Sequence, residues 1–173
     1  MDIREFSIRK NFLLPLGLVL FFSVTLLVIS IIQQQPSAKI MILSFMLVPI
    51  TILFIESSMR RVIIEEEALV VRKLFRQKRL VYTDITSVDT VQVRKRAFLS
   101  ISTEPDFVIL SNSYADFATL LGQLLQKVPA STISAETKQM AEAPPTKSGD
   151  IFSAWLAAGL LLLILYVQLG EAF

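Results

Sequence analysis

Hydrophobic and polar positions follow two regimes along this chain. Three long runs contain no charged residue: 12–32 (FLLPLGLVLFFSVTLLVISII), 40–55 (IMILSFMLVPITILFI) and 151–169 (IFSAWLAAGLLLLILYVQL). An α-helix rises about 1.5 Å per residue, so the first and third, 21 and 19 residues long, can cross a hydrocarbon core of about 30 Å. The second, at 16 residues, reaches only about 24 Å. Its flanks lengthen it: Lys39 can extend its ammonium outward, and Ser57, Ser58 and Met59 continue the helix past Glu56. With no charged position it has no polar face for an amphipathic surface helix, so it too is expected to span. The polar connector QQQPSAK at 33–39 fits a tight helical hairpin, with a proline to stop the first helix.

Between the second and third runs the period shortens. Residues 61–66, 68–75, 80–82, 86–94, 97–103 and 107–110 are β-branched and apolar, and charged or turn-forming clusters separate them. This pattern predicts a meander of short antiparallel strands. From Tyr114 onward the spacing becomes helical: Phe117, Leu120, Leu121, Leu124, Leu125 and Val128 form one apolar stripe, with Ser113 as the expected cap and Asp116 near the positive end. Residues 129–150 are polar, contain three prolines and read as a linker, with at most a turn or two of helix around 134–143. The predicted layout is an N-terminal tail (1–11), a transmembrane hairpin (12–59), a folded domain (60–128), the linker (129–150), a third transmembrane helix (151–169) and a C-terminal tail (170–173). The fold class is therefore α+β.

Charge supplies a direction. Arg4, Arg9 and Lys10 precede the first run and Arg60 and Arg61 follow the second, whereas the hairpin loop has only Lys39 and residues 170–173 have no base. Lysine and arginine collect on the cytoplasmic side, which puts the N-terminus and the folded domain there and the C-terminus opposite. The first run is too long for the apolar segment of a signal peptide, and no small-x-small cleavage site directly follows it, so it is expected to stay as an anchor. The composition, 53% apolar and 18% charged, averages over two solvents; outside the three runs it is that of an ordinary soluble protein.

The stretch 64–75 (IEEEALVVRKLF) followed by 79–88 (RLVYTDITSV) resembles the opening of bacterial pleckstrin-homology-like (PH-like) domains, which are often attached to membrane helices. The YTDITSV portion is similar to the family's Tyr/Ser-Asp-Ile-x-x-Val turn into the next strand. The resemblance covers residues 60–128 and implies a small antiparallel β-barrel or sandwich closed by a C-terminal amphipathic helix. It departs from the eukaryotic PH pattern in one respect: the only tryptophan, Trp155, lies in the third apolar run rather than in that helix. At 69 residues the domain is also small, which points to support from the membrane, a second copy or another protein. The arrangement is similar, too, to photosystem I assembly factors, which pair two N-terminal spans with a β-rich domain but lack a third span. The implied role is a scaffold or assembly factor in a bacterial inner (plasma) membrane.

Candidate chemistry is sparse. The chain has neither cysteine nor histidine, which removes disulfides, thiolate nucleophiles, imidazole bases and Cys/His zinc sites. No glycine lies between Leu18 and Leu121, so no phosphate-cradling loop is present there. Ser7-Ile8-Arg9-Lys10 has Ser-x-x-Lys spacing without partner motifs, and Glu65-Glu66-Glu67 reads as a solvated turn rather than an acid/base pair. No enzyme activity, cofactor, metal or small-molecule substrate is expected. Arg72, Lys73, Arg76, Lys78 and Arg79 form the densest basic cluster, with Arg94, Lys95 and Arg96 forming a second. These eight residues are the expected contacts to a protein partner, or alternatively to anionic lipid headgroups; self-association remains a further alternative. Nucleic acid is not expected, since residues 60–128 carry eleven bases against eight acids on a tethered domain.

Overall fold

The computed structural model describes residues 4–93, 95–145 and 149–170. Its elements in chain order are β1 (Arg4–Ser7), α1 (Lys10–Ile32), α2 (Ser37–Met59), β2 (Arg61–Ile64), β3 (Ala68–Arg72), β4 (Gln77–Val81), β5 (Ile85–Val93), β6 (Arg96–Thr103), β7 (Phe107–Ser111), α3 (Phe117–Lys127), α4 (Ala135–Glu142) and α5 (Gly149–Gly170). They divide into two compact units: α1, α2 and α5 form one, and the strands with α3 and α4 form the other.

In the helical unit, α1, α2 and α5 are each long and apolar enough to cross a membrane. The short second run lies within a 23-residue helix, about 34 Å long, because Ser37 to Lys39 and Glu56 to Met59 join it. Polar side chains inside the apolar stretches bond one turn back: the Thr51 hydroxyl donates to the Leu47 carbonyl at 2.9 Å, and that of Ser58 to Phe54 at 2.7 Å. The end of α1 is a Schellman turn, in which Gln35 N–H donates to the Ser30 carbonyl and Gln34 N–H to that of Ile31, each at 3.0 Å. Gln34 takes the left-handed position usually given to glycine, with φ of 52°.

α1 packs along α5. Pro15, Val19, Leu26 and Ser30 are buried on α1, and Ala158, Leu165 and Gln168 on α5. The seven-residue steps from Val19 to Leu26 and from Ala158 to Leu165 are those of a left-handed helix pair. The two helices run parallel, because Gln168, near the end of α5, meets Ser30 and Gln33, near the end of α1. The Gln168 amide donates to Gln33 Oε1 at 3.0 Å and to Ser30 Oγ at 3.3 Å, and Lys39 Nζ donates to Gln168 Oε1 at 3.4 Å. Lys39, which also donates to Gln35 Oε1 of the connector at 3.4 Å, joins this polar cluster, which satisfies the buried glutamine. Between α1 and α2, Gly17 leaves room for a ring: a Cβ there would lie 3.2 Å from Phe54.

The second unit contains two antiparallel sheets, ordered β1-β2-β3-β4 and β5-β6-β7, neither closed into a barrel. All six expected strands form, with shifted ends. β3 stops at Arg72 because the turn to β4 takes the next residues, and β4 absorbs Gln77 to Arg79, which the sequence pattern assigned to a separator. An exposed edge strand tolerates such charges, and they discourage pairing with another chain. β2 and β3 are buried on nearly every residue, which explains their unbroken apolar runs, whereas β6 alternates buried Ala97, Leu99 and Ile101 with half-exposed neighbours. Leu120, Leu121 and Leu124 of α3 are fully buried, as the helical stripe predicted. Ser113 does not cap α3; the capping position falls on Asp116, in the left-handed conformation with no side-chain bond.

Two segments extend this unit beyond 60–128. Residues 4–7 of the expected tail form β1, which pairs with β2 from Arg4↔Ile64 to Ser7↔Arg61 and buries Phe6. Ile8, also buried, bridges to Tyr114. Within the expected linker, the short helix is present as α4, but it is docked. Ser134 N–H donates to the Val88 carbonyl at 3.1 Å, and the buried Thr137 hydroxyl donates to the same carbonyl at 3.0 Å while lying 2.8 Å from Thr90 Oγ1. Farther along, the buried Asn112 amide donates to the carbonyls of Lys95 at 2.9 Å and Pro145 at 2.8 Å. These additions enlarge a core that 69 residues would leave small. The expected C-terminal tail lies outside the described residues except for Gly170, which ends α5.

Candidate docking surface

The first basic cluster lies on the β3–β4 hairpin. Arg72 ends β3; Lys73 N–H donates to the Arg76 carbonyl at 2.8 Å and closes the turn; Lys78 and Arg79 lie on β4, opposite Val71 and Val70. Two of the five cations are paired. Lys78 Nζ bonds the Asp106 carboxylate in the β6–β7 turn, donates to the Phe107 carbonyl at 3.1 Å and sits 5.6 Å from the centre of the Phe107 ring. The Lys78 hydrogen bond, with the Phe107 N–H, holds the Asp106 carboxyl below its usual pKa. Arg79 meets Glu65 Oε2 at 3.2 Å. Among the described residues, Arg72, Lys73 and Arg76 have no ion pair and are exposed.

Lys78 and Asp106 join the β4 edge to the start of β7 and leave a groove of about 200 Å³ between them, lined by Val71, Lys73, Arg76, Lys78, Phe107 and Ile109, with Val108 beneath. Phe107 and Ile109 alternate with buried Val108 and Leu110, so they share the outer face of the second sheet, where they are 58% and 50% exposed. The groove thus combines cations on one wall with an apolar opposite wall. That chemistry suits an acidic segment carrying a large apolar side chain.

Lys95 and Arg96 lie elsewhere. They occupy the β5–β6 turn and the start of β6, whereas the β6–β7 turn beside Lys78 follows the other end of β6. The length of β6, seven steps or about 23 Å from Arg96 to Thr103, separates them from the hairpin cluster along the sheet. Arg94 lies outside the described residues. The seven described members of the two clusters therefore lie on separate surfaces. Phe107 and Ile109 were not among them; their signal was the alternation F-V-I-L, in which every second apolar residue must leave the core.

The other candidate groups take structural positions. Ser7 is a β1 residue whose carbonyl accepts from Ala115 N–H at 2.8 Å, while Lys10 begins α1. Glu65 to Glu67 form the turn between β2 and β3. Behind that turn Tyr82 is buried, its hydroxyl donating to the Glu65 carbonyl at 3.3 Å; burial, and secondarily the Glu65 charge, pushes its pKa up to about 12.

Comparison with protein-family models, curated proteins and solved structures finds no match for this chain.

Proposed function

We propose that this chain is a three-span membrane protein whose folded domain is a non-enzymatic binding or assembly module that docks a protein partner. The groove between β4 and β7 carries the reading, because it is an open apolar wall facing cations on a domain attached to membrane-length helices. The order of four strands, three strands and a helix supports a PH-like domain in this role. The absence of cysteine and histidine favours contact over catalysis. The base distribution supports an inner (plasma) membrane location with the domain on the cytoplasmic side.

Purification from the native membrane in mild detergent tests this reading. A protein at fixed stoichiometry is expected. The pair Phe107→Ser and Ile109→Ser should weaken its retention by about thirtyfold, the scale of losing about 2 kcal/mol at an interface centre. The absence of such a protein, or retention unchanged by the two substitutions, would overturn the reading.

A further inference from the structure

The β3–β4 turn carries unusual residues for its length. The Lys73–Arg76 bond encloses only Leu74 and Phe75, a loop length that normally selects asparagine, aspartate or glycine. Neither residue has the positive φ that would give the backbone a say in the choice. Phe75 is 90% exposed, more than any other large apolar residue among those described, including those of the three long helices. An isolated exposed apolar residue is ordinary. This one is collared: residues 72–79 (RKLFRQKR) hold five cations and no acid, and the three nearest the tip, Arg72, Lys73 and Arg76, have no ion pair among the described residues.

Sheet register relates the turn to the points where the chain leaves the sheet. Ser7 pairs with Arg61 and Arg61 with Arg72, so the end of β1, the start of β2 and the end of β3 share one row. The chain runs from that row to α1 through residues 8 and 9, and to α2 through residue 60. The turn projects only two residues past the row, about 7 Å of backbone. A bilayer crossed by α1 and α2 would thus be tied to that row by only one or two residues of chain. A ring and an aliphatic side chain inside a cationic collar match the two layers met there: lipid phosphates outside and acyl chains beneath.

We propose that Leu74 and Phe75 insert into the anionic leaflet of the membrane that the chain's own helices cross, with Arg72, Lys73 and Arg76 on lipid phosphates. The tip is then a third attachment point that holds the domain against the surface. This inference rests on the spanning reading of α1 and α2, but not on a partner in the groove, with which it shares Lys73 and Arg76 and from which it leaves Phe107 and Ile109 open.

The test uses the full chain with Trp155→Phe, which removes the only tryptophan, and Phe75→Trp, which places an indole at the tip. The protein is reconstituted into vesicles of phosphatidylcholine alone or with about one-third phosphatidylglycerol, an anionic content that gives each base near the surface an appreciable attraction. In anionic vesicles the indole should emit to the blue, resist iodide and be quenched by bromines on the acyl chains. Adding Arg72→Gln and Arg76→Gln should shift the inserted fraction toward water on the order of tenfold. The same label placed by Ile109→Trp should remain open to iodide in both vesicles.

An indole at position 75 that stays water-exposed in anionic vesicles would overturn the proposal. So would equal shielding in both lipids that ignores the arginine substitutions. Shielding found only in native membranes would assign the tip to a protein and overturn the lipid site. None of these readouts depends on a co-purifying partner, so failure here and failure of the docking reading are separable.

Discussion

Tyr82 shows how one side chain records its surroundings. Its phenol is buried beside Glu65, and both conditions favour the neutral form, so its pKa rises from 10 to about 12. A raised folded-state value means that the contribution to stability is complete below pH 10 and is lost as pH climbs through about 12. Tyr82→Phe is therefore expected to destabilise the protein by about 1 kcal/mol at pH 8, through the lost bond to the Glu65 carbonyl. The same substitution should reduce the further loss between pH 10 and 12 by on the order of 2 kcal/mol. Denaturation of both proteins at the two pH values measures it; parallel losses would exclude Tyr82 as the titrating group. Asp106 acts in the opposite direction: its lowered value means that the link to Lys78 weakens as acid protonates the carboxyl. At this scale the sequence was informative about residue type but not about pairing. The RKLFRQKR run showed five cations, and only the fold divided them into two held by acids and three without ion pairs among the described residues.

At the scale of elements, α4 is held by hydroxyl chemistry rather than by an apolar stripe. Thr137 lies among Val88, Thr90 and Ser134, and Met140 is the large apolar residue that the helix buries. Thr137→Val keeps the volume and removes the bonds. It should cost about 1 kcal/mol globally, but expose residues 129–145 to protease and to rapid amide exchange while β2, β3 and β6 stay protected. Uniformly faster exchange across the strands would mean that α4 is integral to the core. The helix itself was legible in the sequence; its docking was not, because a polar, proline-bearing segment gives no periodic sign of the strand it will bond. β1 was invisible for a related reason. Four residues with two charges carry little strand signal, and their partners lie more than fifty positions away, beyond two long helices.

For the whole molecule, the absence of cysteine makes topology directly measurable. Ser37→Cys in the hairpin and Lys95→Cys in the β5–β6 turn each introduce a single thiol at an exposed position. In sealed native vesicles an impermeant maleimide should label the two from opposite sides of the membrane, with Lys95→Cys reacting from the cytoplasmic face. Labelling from the same face would refute the three-span arrangement.

The sequence by itself determined what local free energy determines. Apolar runs of helix length specified α1, α2 and α5, two-residue alternation and β-branching specified β2 to β7, and a 3.6-residue stripe specified α3, because each signal lies within a few turns or one strand of its own element. Tertiary structure decided what depends on pairing between distant segments. It recruited residues 4–7 as an edge strand, seated α4 on β5, placed Gln168 among Ser30, Gln33 and Lys39, and set the two basic clusters at opposite ends of β6. The physical reason is the same in each case: a strand edge, a buried amide or a groove wall takes its value from the group opposite it, and that group is chosen by the fold rather than by its neighbours along the chain.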